Sequence, residues 1–312
     1  MSAVPAGRTP PAPAGSPAEV ADALLAELVV DHAASGGALV LMHPQTGLFW
    51  TGAVSGLPAP SCHPFFALEL SASSARTFRR LAAGGRGATA LSRESDDDPF
   101  RTDVLEPFGY SDELRAACVD GGTAWAGVSL WRRSGTFTVE DERRLTDRAR
   151  DVARAVRAAV VAALDGSAAD GERGLLLVQD GRVVETSRTG TRFLRELDQP
   201  ELEEYRHLDH LLALAASQPE FSTVLSTPDG AWVTAHGTDL GGGRVAIALG
   251  RATPTELLGP RVAGAGLTAR EVEVTRLLCR GLSDREIARE LGVSAHTVHD
   301  HVRAVRTKLG VR

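Results

Sequence analysis

Within residues 294–308 the sequence gathers Ser294, His296, Thr297, His299, Asp300, His301, Arg303, Arg306 and Lys308, about four turns if the segment is helical. Two chemistries use such types. The first is nucleic-acid recognition: Arg303 can donate bidentately to guanine O6 and N7, and Asp300 can accept from cytosine N4. Thr297, Arg306 and Lys308 suit phosphates, which fix register without reading sequence. The second is metal binding, and the spacing argues against it. Only His296 and His299 are i,i+3 neighbours, and neither a Cys nor a fourth ligand lies nearby. Asp300 also fits an acid stabilised in the first turn of a helix, and His301 also fits an inward packing residue.

Other candidate chemistry is sparse. Cys62 and His63 are adjacent, so their side chains diverge, and Asp96-Asp97-Asp98 lacks the Gly and distal Glu of a calcium loop. No metal is expected. Lys308 is the only lysine of the 312 residues, so neither a Walker A loop nor a Schiff-base lysine can be built upstream of it. No nucleophile, base and oxyanion grouping emerges, so an enzyme is not expected.

The elements that must position the 294–308 cluster are legible. Thr268 with Glu271 forms a T-x-x-E capping box, an apolar-periodic run follows through Val274, Leu277 and Leu278, and Gly281 ends it. Ser283 with Glu286 repeats the box, Ile287, Ala288 and Leu291 supply an inward face, and Gly292 closes that helix. After a tight turn Ser294 caps a third helix, in which Val298, Val302, Val305 and Leu309 share one face before Gly310. Three short helices with a tight second turn match a helix-turn-helix, whose last helix enters the major groove.

The residues Leu267-Thr268-Ala269-Arg270-Glu271, Gly281-Leu282-Ser283, Glu286-Ile287-Ala288, Leu291-Gly292-Val293-Ser294, Thr297-Val298, His301 and Lys308-Leu309-Gly310 resemble the LuxR-type DNA-binding domain. The resemblance runs from 267 to 312. It implies base-reading positions at His299, Asp300 and Arg303, so the DNA-contacting candidates are Ser294, Thr297, His299, Asp300, Arg303, Arg306 and Lys308. Members usually continue into a fourth, dimerising helix, whereas this sequence ends at Arg312, which puts dimerisation through that helix in doubt.

Charge divides along the same boundary. Residues 267–312 carry nine basic and six acidic side chains, a net +3, against −6 for the whole chain, so an acidic body bears a basic end. Hydrophobic residues at 43% and charged residues at 24% suit a globular protein, and the length suggests two or three domains. Cys62, Cys118 and Cys279 are few and scattered, which fits small buried hydrophobes in a reducing cytosol rather than disulfides. The Pro/Ala/Gly/Ser-rich residues 1–17 lack the apolar run of a secretory signal and read as a disordered tail. No stretch has the ~20 apolar residues of a membrane span, and a cytoplasmic protein is expected.

The body reads as mixed α/β. Residues 18–165 show an amphipathic helix near Ala18 to Ala34 and a hairpin from Ala38–Met42 and Leu48–Val54. A helical stretch His63–Leu81 follows, and strands Leu114–Val119 and Thr123–Trp131 turn at Asp120-Gly121-Gly122. A long helix then runs from Glu140 to about Leu164. Its stripe Leu145, Ala149, Val152, Val156, Ala159 and Ala163 fits either a two-helix seam or packing on its own sheet. Asp165 to Gly171 reads as a linker. Residues 172–252 form a second small α/β module, with strand-like runs Gly174–Gln179, Val183–Thr186, Phe221–Ser226, Trp232–His236 and Val245–Leu249. Residues 253–266 read as a linker to the final domain.

Three partners of such a terminal domain fit the body poorly. A phospho-receiver needs an early acidic pair and a late lysine. An ATP-driven regulator needs a Walker A loop, and an acyl-homoserine-lactone sensor shows a Trp and a Tyr four residues apart, where Trp50 is followed by Val54. Asp112-Glu113-Leu114-Arg115, Trp125 to Arg132 and Phe137 to Glu142 resemble the second half of a GAF domain, and the module containing Thr227-Pro228-Asp229-Gly230-Ala231-Trp232 is similar in layout to a PAS domain. The combination resembles a class of actinobacterial regulators. The resemblance implies a multidomain fold: an α/β GAF-like domain, a small α/β PAS-like module and an all-α helix-turn-helix. It also implies a transcription regulator on double-stranded DNA, acting as a homodimer, with a small-molecule effector and RNA polymerase as further candidate partners. GAF and PAS folds can hold a ligand between sheet and helices, but Trp50, Trp125, Trp131 and Trp232 are more often core than pocket walls. Lone histidines such as His43, His63 and His236 are more often structural than haem ligands, so no cofactor is expected. The alternative is a protein-binding module whose helix-turn-helix no longer binds DNA.

Overall fold

The computed structural model describes residues 15–58, 61–71, 74–94, 98–164, 171–198 and 206–309. Most of the expected tail, most of the 165–171 linker, Asp96 and Asp97, and the helix stop at Gly310 lie outside the described residues. Helix α1 (Pro17–Asp31) opens on Ser16, whose hydroxyl accepts from the Glu19 amide while the Glu19 carboxylate accepts from the Ser16 amide. That reciprocal cap draws Ser16 and Pro17, read from the sequence as tail, into the folded body.

Five strands follow: β1 (Gly36–Met42), β2 (Phe49–Ser55), β3 (Thr89–Ala90), β4 (Asp112–Asp120) and β5 (Thr123–Arg132). They form one antiparallel sheet in the order β2-β1-β5-β4-β3. Two left-handed glycines, Gly121 at φ 59° and Gly122 at φ 79°, make the tight β4–β5 turn, as a type I′ hairpin requires. Strand β1 is buried along its whole length, because helices cover both faces. Leu39 and Leu41 join α1 and the long helix α4 (Val139–Leu164) in one core. Ala38, Val40 and Met42, pointing the other way, join α2 (Cys62–Leu70) and α3 (Phe78–Gly84) in another. The single helical stretch expected over 63–81 is thus two helices. Ser71, in extended conformation, ends α2, and the Ser74 hydroxyl accepts from the Arg76 amide instead of continuing a helix.

The choice left open for α4 is decided. Leu145, Ala149, Val152 and Val156 lie in the core beneath the first sheet, Ala159 is buried, and Ala163 packs against the same core. The stripe packs within its own body, against the first sheet and against α1.

The second sheet comprises β6 (Arg173–Gln179), β7 (Arg182–Thr186), β8 (Phe221–Ser226), β9 (Trp232–Gly241) and β10 (Arg244–Arg251), antiparallel in the order β7-β6-β10-β9-β8. Helices α5 (Arg188–Leu197) and α6 (His207–Ser217) cover one face, where Leu176, Val178, Val233 and Ile247 meet Phe193, Leu211 and Leu214. The sequence suggests two modules in series, but the structure interlocks them. Trp232, at the start of β9, packs edge-on against Trp50 of β2 with ring centroids 5.3 Å apart. Its indole donates to the Ala163 carbonyl at 3.2 Å. Leu48 lies in the second core and Ala213 of α6 in the α2 core.

The expected linker over 253–266 contains a helix, α7 (Leu258–Gly264), docked on the end of α4. Gly264 leaves room for Val161, and the Arg261 guanidinium donates to the Leu164 carbonyl. Short helices of this kind escape a periodicity reading because seven residues give barely two turns of pattern. No helix among the described residues is long and apolar enough to cross a membrane.

Candidate nucleic-acid interface

The last domain is built from α8 (Ala269–Cys279), α9 (Asp284–Leu291) and α10 (Ala295–Leu309). Each start is capped as its sequence dictates. Thr268 and Glu271 exchange hydrogen bonds at α8, and the Glu286 carboxylate accepts from the Ser283 amide at 2.8 Å at α9. Ser294 Oγ accepts from the Thr297 amide at 3.0 Å at α10. Gly292, left-handed at φ 65°, ends α9 and sets up the turn. Val274, Leu277, Ile287, Ala288, Val298 and Val302 form the small core.

That packing fixes what α10 presents outward. Val298, Val302 and Val305 are buried, so His299, Asp300 and Arg303 between them face solvent. Arg303 is 78% exposed and His299 68% exposed. Asp300 lies between two neighbours one turn away, 3.7 Å from His296 and 3.7 Å from Arg303. His299 Nδ1 is 3.5 Å from Asp284 at the start of α9. These contacts are long and solvent-exposed, and such pairs contribute little, so the side chains are free to take other partners. His301, partly buried, lies between the outer face and the core.

Two expected contacts stand differently. Ser294 is engaged in the α10 cap, with Oγ also 2.9 Å from Thr297 Oγ1. Lys308, assigned to phosphate from its place in sequence, turns back onto α8. Its Nζ lies 2.6 Å from the Glu271 carboxylate and 3.4 Å from the Gly266 carbonyl. Burial raises the Glu271 carboxyl, but the hydrogen bonds from Lys308 and Thr268 outweigh it and hold the group below its ordinary value. Lys308 is therefore a brace between the first and third helices. Arg270 braces the first helix to the second: it donates to the Leu291 carbonyl at 2.7 Å and pairs with Glu273 within α8. The signal for the Lys308 brace was that Glu271 already served a cap, a carboxylate that attracts a cation.

Between the first sheet and the α2/α3 face the described side chains pack closely. Arg115 is fully buried, its guanidinium 3.9 Å from the Phe100 ring centre and 4.3 Å from that of Phe78. It pairs with Glu69 and lies 3.5 Å from Glu113, which also meets Arg76 at 3.4 Å. The Phe78 ring sits over Gly127, where any side chain would collide with it. A cavity of about 20 Å³ remains beside Cys62, Phe65 and Trp131, room for about one water. All four tryptophans are core residues. His43 is structural too: its Nδ1 accepts from the amides of Gln45 and Thr46 at 3.2 Å. Cys62 and Cys118 are buried, but Cys279, expected to be, is exposed at the end of α8. No group of three or more His, Cys, Asp or Glu able to hold a metal occurs among the described residues.

An acidic two-sheet body ending in a compact helix-turn-helix is the architecture of a regulator with a separate reading head. Residues 265–312 match the family model of bacterial regulatory proteins, luxR family, so the terminal domain is a LuxR-family helix-turn-helix. No curated protein matches the chain. Among solved structures, the E. coli DhaR(N)-DhaL complex aligns at 15% identity and TM-score 0.29, over 75% of this chain and 86% of that one. The bacteriophytochrome RpBphP3 from the photosynthetic bacterium R. palustris aligns at 9% identity and TM-score 0.31, over 76% of this chain and 59% of its own.

Proposed function

We propose that the protein is a sequence-specific transcription regulator in which α10 lies in the major groove of its operator, and that it is not an enzyme. The observation that carries this reading is the outward face of α10. His299, Asp300 and Arg303 project from one side of a helix whose other side is fixed by Val298, Val302 and Val305, on a domain that matches the luxR-family model. Arg303 supplies a fork for guanine O6 and N7, and Asp300 and His299 read neighbouring base edges. Thr297 and Arg306 contact phosphates, and Ser294 holds the amides of the first turn toward the backbone. Lys308, held by Glu271, contributes less to the phosphate contacts than Arg306.

The protein acts as a cytoplasmic homodimer on a roughly palindromic site, with reading heads about 34–36 Å apart on the duplex. Because the α4 stripe is buried, the pairing surface lies elsewhere on the body. The region over residues 18–252 sets the activity of the reading head, and RNA polymerase is the partner it serves.

The test is a salt titration of the full chain on genomic fragments recovered with it from its host. Binding through several phosphates weakens steeply as salt rises. Retention of no fragment even in dilute buffer overturns the reading and leaves the head as a protein-binding module.

A further inference from the structure

A cleft of about 560 Å³ opens where the body meets the reading head. Three arginines line it: Arg154 and Arg157 from α4, and Arg276 from α8. Among its lining residues one carboxylate answers them, Asp120 in the β4–β5 turn, 3.4 Å from Arg154 and 3.0 Å from Arg157. Asp151 lies 3.9 Å from Arg154 as well, but is not among the lining residues. Arg276 has no ion pair or hydrogen-bonded side chain among the described residues; the acids near it on α8 are taken, Glu273 by Arg270 and Glu271 by Lys308. The cleft thus carries excess positive charge, contributed from both sides of the seam. Gln45 and Thr123 also line it, and Trp125, Val262, Leu267 and Val272 supply an apolar stretch of wall.

We propose that this cleft binds a small organic anion, a phosphate ester or carboxylate with an apolar moiety. The anion bridges Arg276 of the head to Arg157 and Arg154 of the body, and its apolar part lies against Trp125 and Leu267. Guanidinium groups pair with such oxygens in charge-assisted, often bidentate bonds. Like charges facing across the seam disfavour its closure, and an anion between them removes that penalty. It therefore binds the closed seam better than an open one and shifts the head toward one placement. The binding itself does not depend on the head reading DNA; only its consequence for transcription rests on that proposal.

The test uses the full chain without DNA. Phenyl phosphate, inorganic phosphate and benzoate are titrated by calorimetry, and amide hydrogen exchange is followed over residues 258–279. Phenyl phosphate or benzoate should bind saturably and more tightly than inorganic phosphate, and whichever of the two is tighter identifies the anion class. The bound anion should slow exchange in α7 and α8. Arg276→Gln, at an exposed position, and Arg157→Gln should each weaken binding roughly tenfold, the worth of one charge-assisted bond, while Arg182→Gln on β7 leaves it unchanged. No saturable binding at millimolar concentration, or equal affinity in wild type and Arg276→Gln, overturns the proposal. If the anion binds but no DNA does, the site stands and the regulator reading falls.

Discussion

Arginine does opposite work in the body and in the reading head. Inside the first domain, Arg115 is fully buried among Phe65, Phe78 and Phe100, pairs with Glu69 and shares Glu113 with Arg76. In the head, Arg303 is 78% exposed, with one distant acid beside it. Both regions draw on the same residue type, and what separates them is desolvation. A buried guanidinium must have its partners built in, because its removal leaves carboxylates unpaired in a medium that punishes them. An exposed one keeps its hydrogen-bonding capacity for a ligand. Charge in the body thus specifies a fold, and charge in the head is available to a partner.

The largest effect expected from this contrast is in the body. Arg115→Ala should destabilise it by about 3–5 kcal/mol, since Glu69 loses its partner and burial already pushes that carboxyl up. Arg115→Leu combined with Glu69→Leu should recover much of the loss, because replacing a whole buried pair by apolar groups is close to neutral. Thermal melts of the three chains check it. An Arg115→Ala variant that melts like wild type would place the network outside the determinants of the fold.

How much of this was legible follows from the same contrast. The head was read almost residue by residue, because its signals are local: two capping boxes, a glycine after each of the first two helices, and valines spaced three or four apart. All strands of the body but the two-residue β3, and the Asp120-Gly121-Gly122 turn, were legible for the same reason. What escaped needed partners distant in sequence. Glu69 and Arg115 are 46 positions apart, and Trp232 finds Trp50 only because α4 delivers one sheet to the other. The contact of Lys308 with Glu271 spans 37 positions, beyond the reach of a local pattern.

A second test of the body uses pH. His210 lies between Phe49 and Phe66 with ring centres 5.4 and 5.2 Å away, and burial, aided by His207, lowers it to about 3. Burial also lowers His43 to about 4. Both are neutral in the folded chain, whereas the unfolded chain takes up their protons below about 6.5. Stability from these groups is therefore complete above that pH and falls as pH drops toward 4. At pH 5 the loss is about 2 kcal/mol for each group, from ~1.4 kcal/mol per pH unit. His210→Phe should flatten the acid limb of a melting curve, and an unchanged limb would show that His210 is not the group responsible.

In the head, Arg303→Ala should leave the melting curve unmoved and weaken operator binding by about 1–3 kcal/mol, with relaxed preference at one base pair. Competition between the operator and point-substituted operators measures both quantities. Equal affinity of Arg303→Ala and wild type would remove Arg303 from the reading face.

The smallest effect sharpens the contrast most, because Lys308 is a head residue that behaves like a body residue. Its ion pair with Glu271 is partly exposed, at 35% for the lysine and 7% for the acid, so Lys308→Met should cost no more than about 1 kcal/mol of stability. If the lysine is a brace, the slope of binding affinity against salt should stay where it is. Arg306→Ala, which removes a phosphate contact, should reduce that slope by about 1. Should Lys308→Met reduce the slope as Arg306→Ala does, then Lys308 leaves Glu271 on the duplex, and the bridge between the first and third helices belongs to the free protein alone.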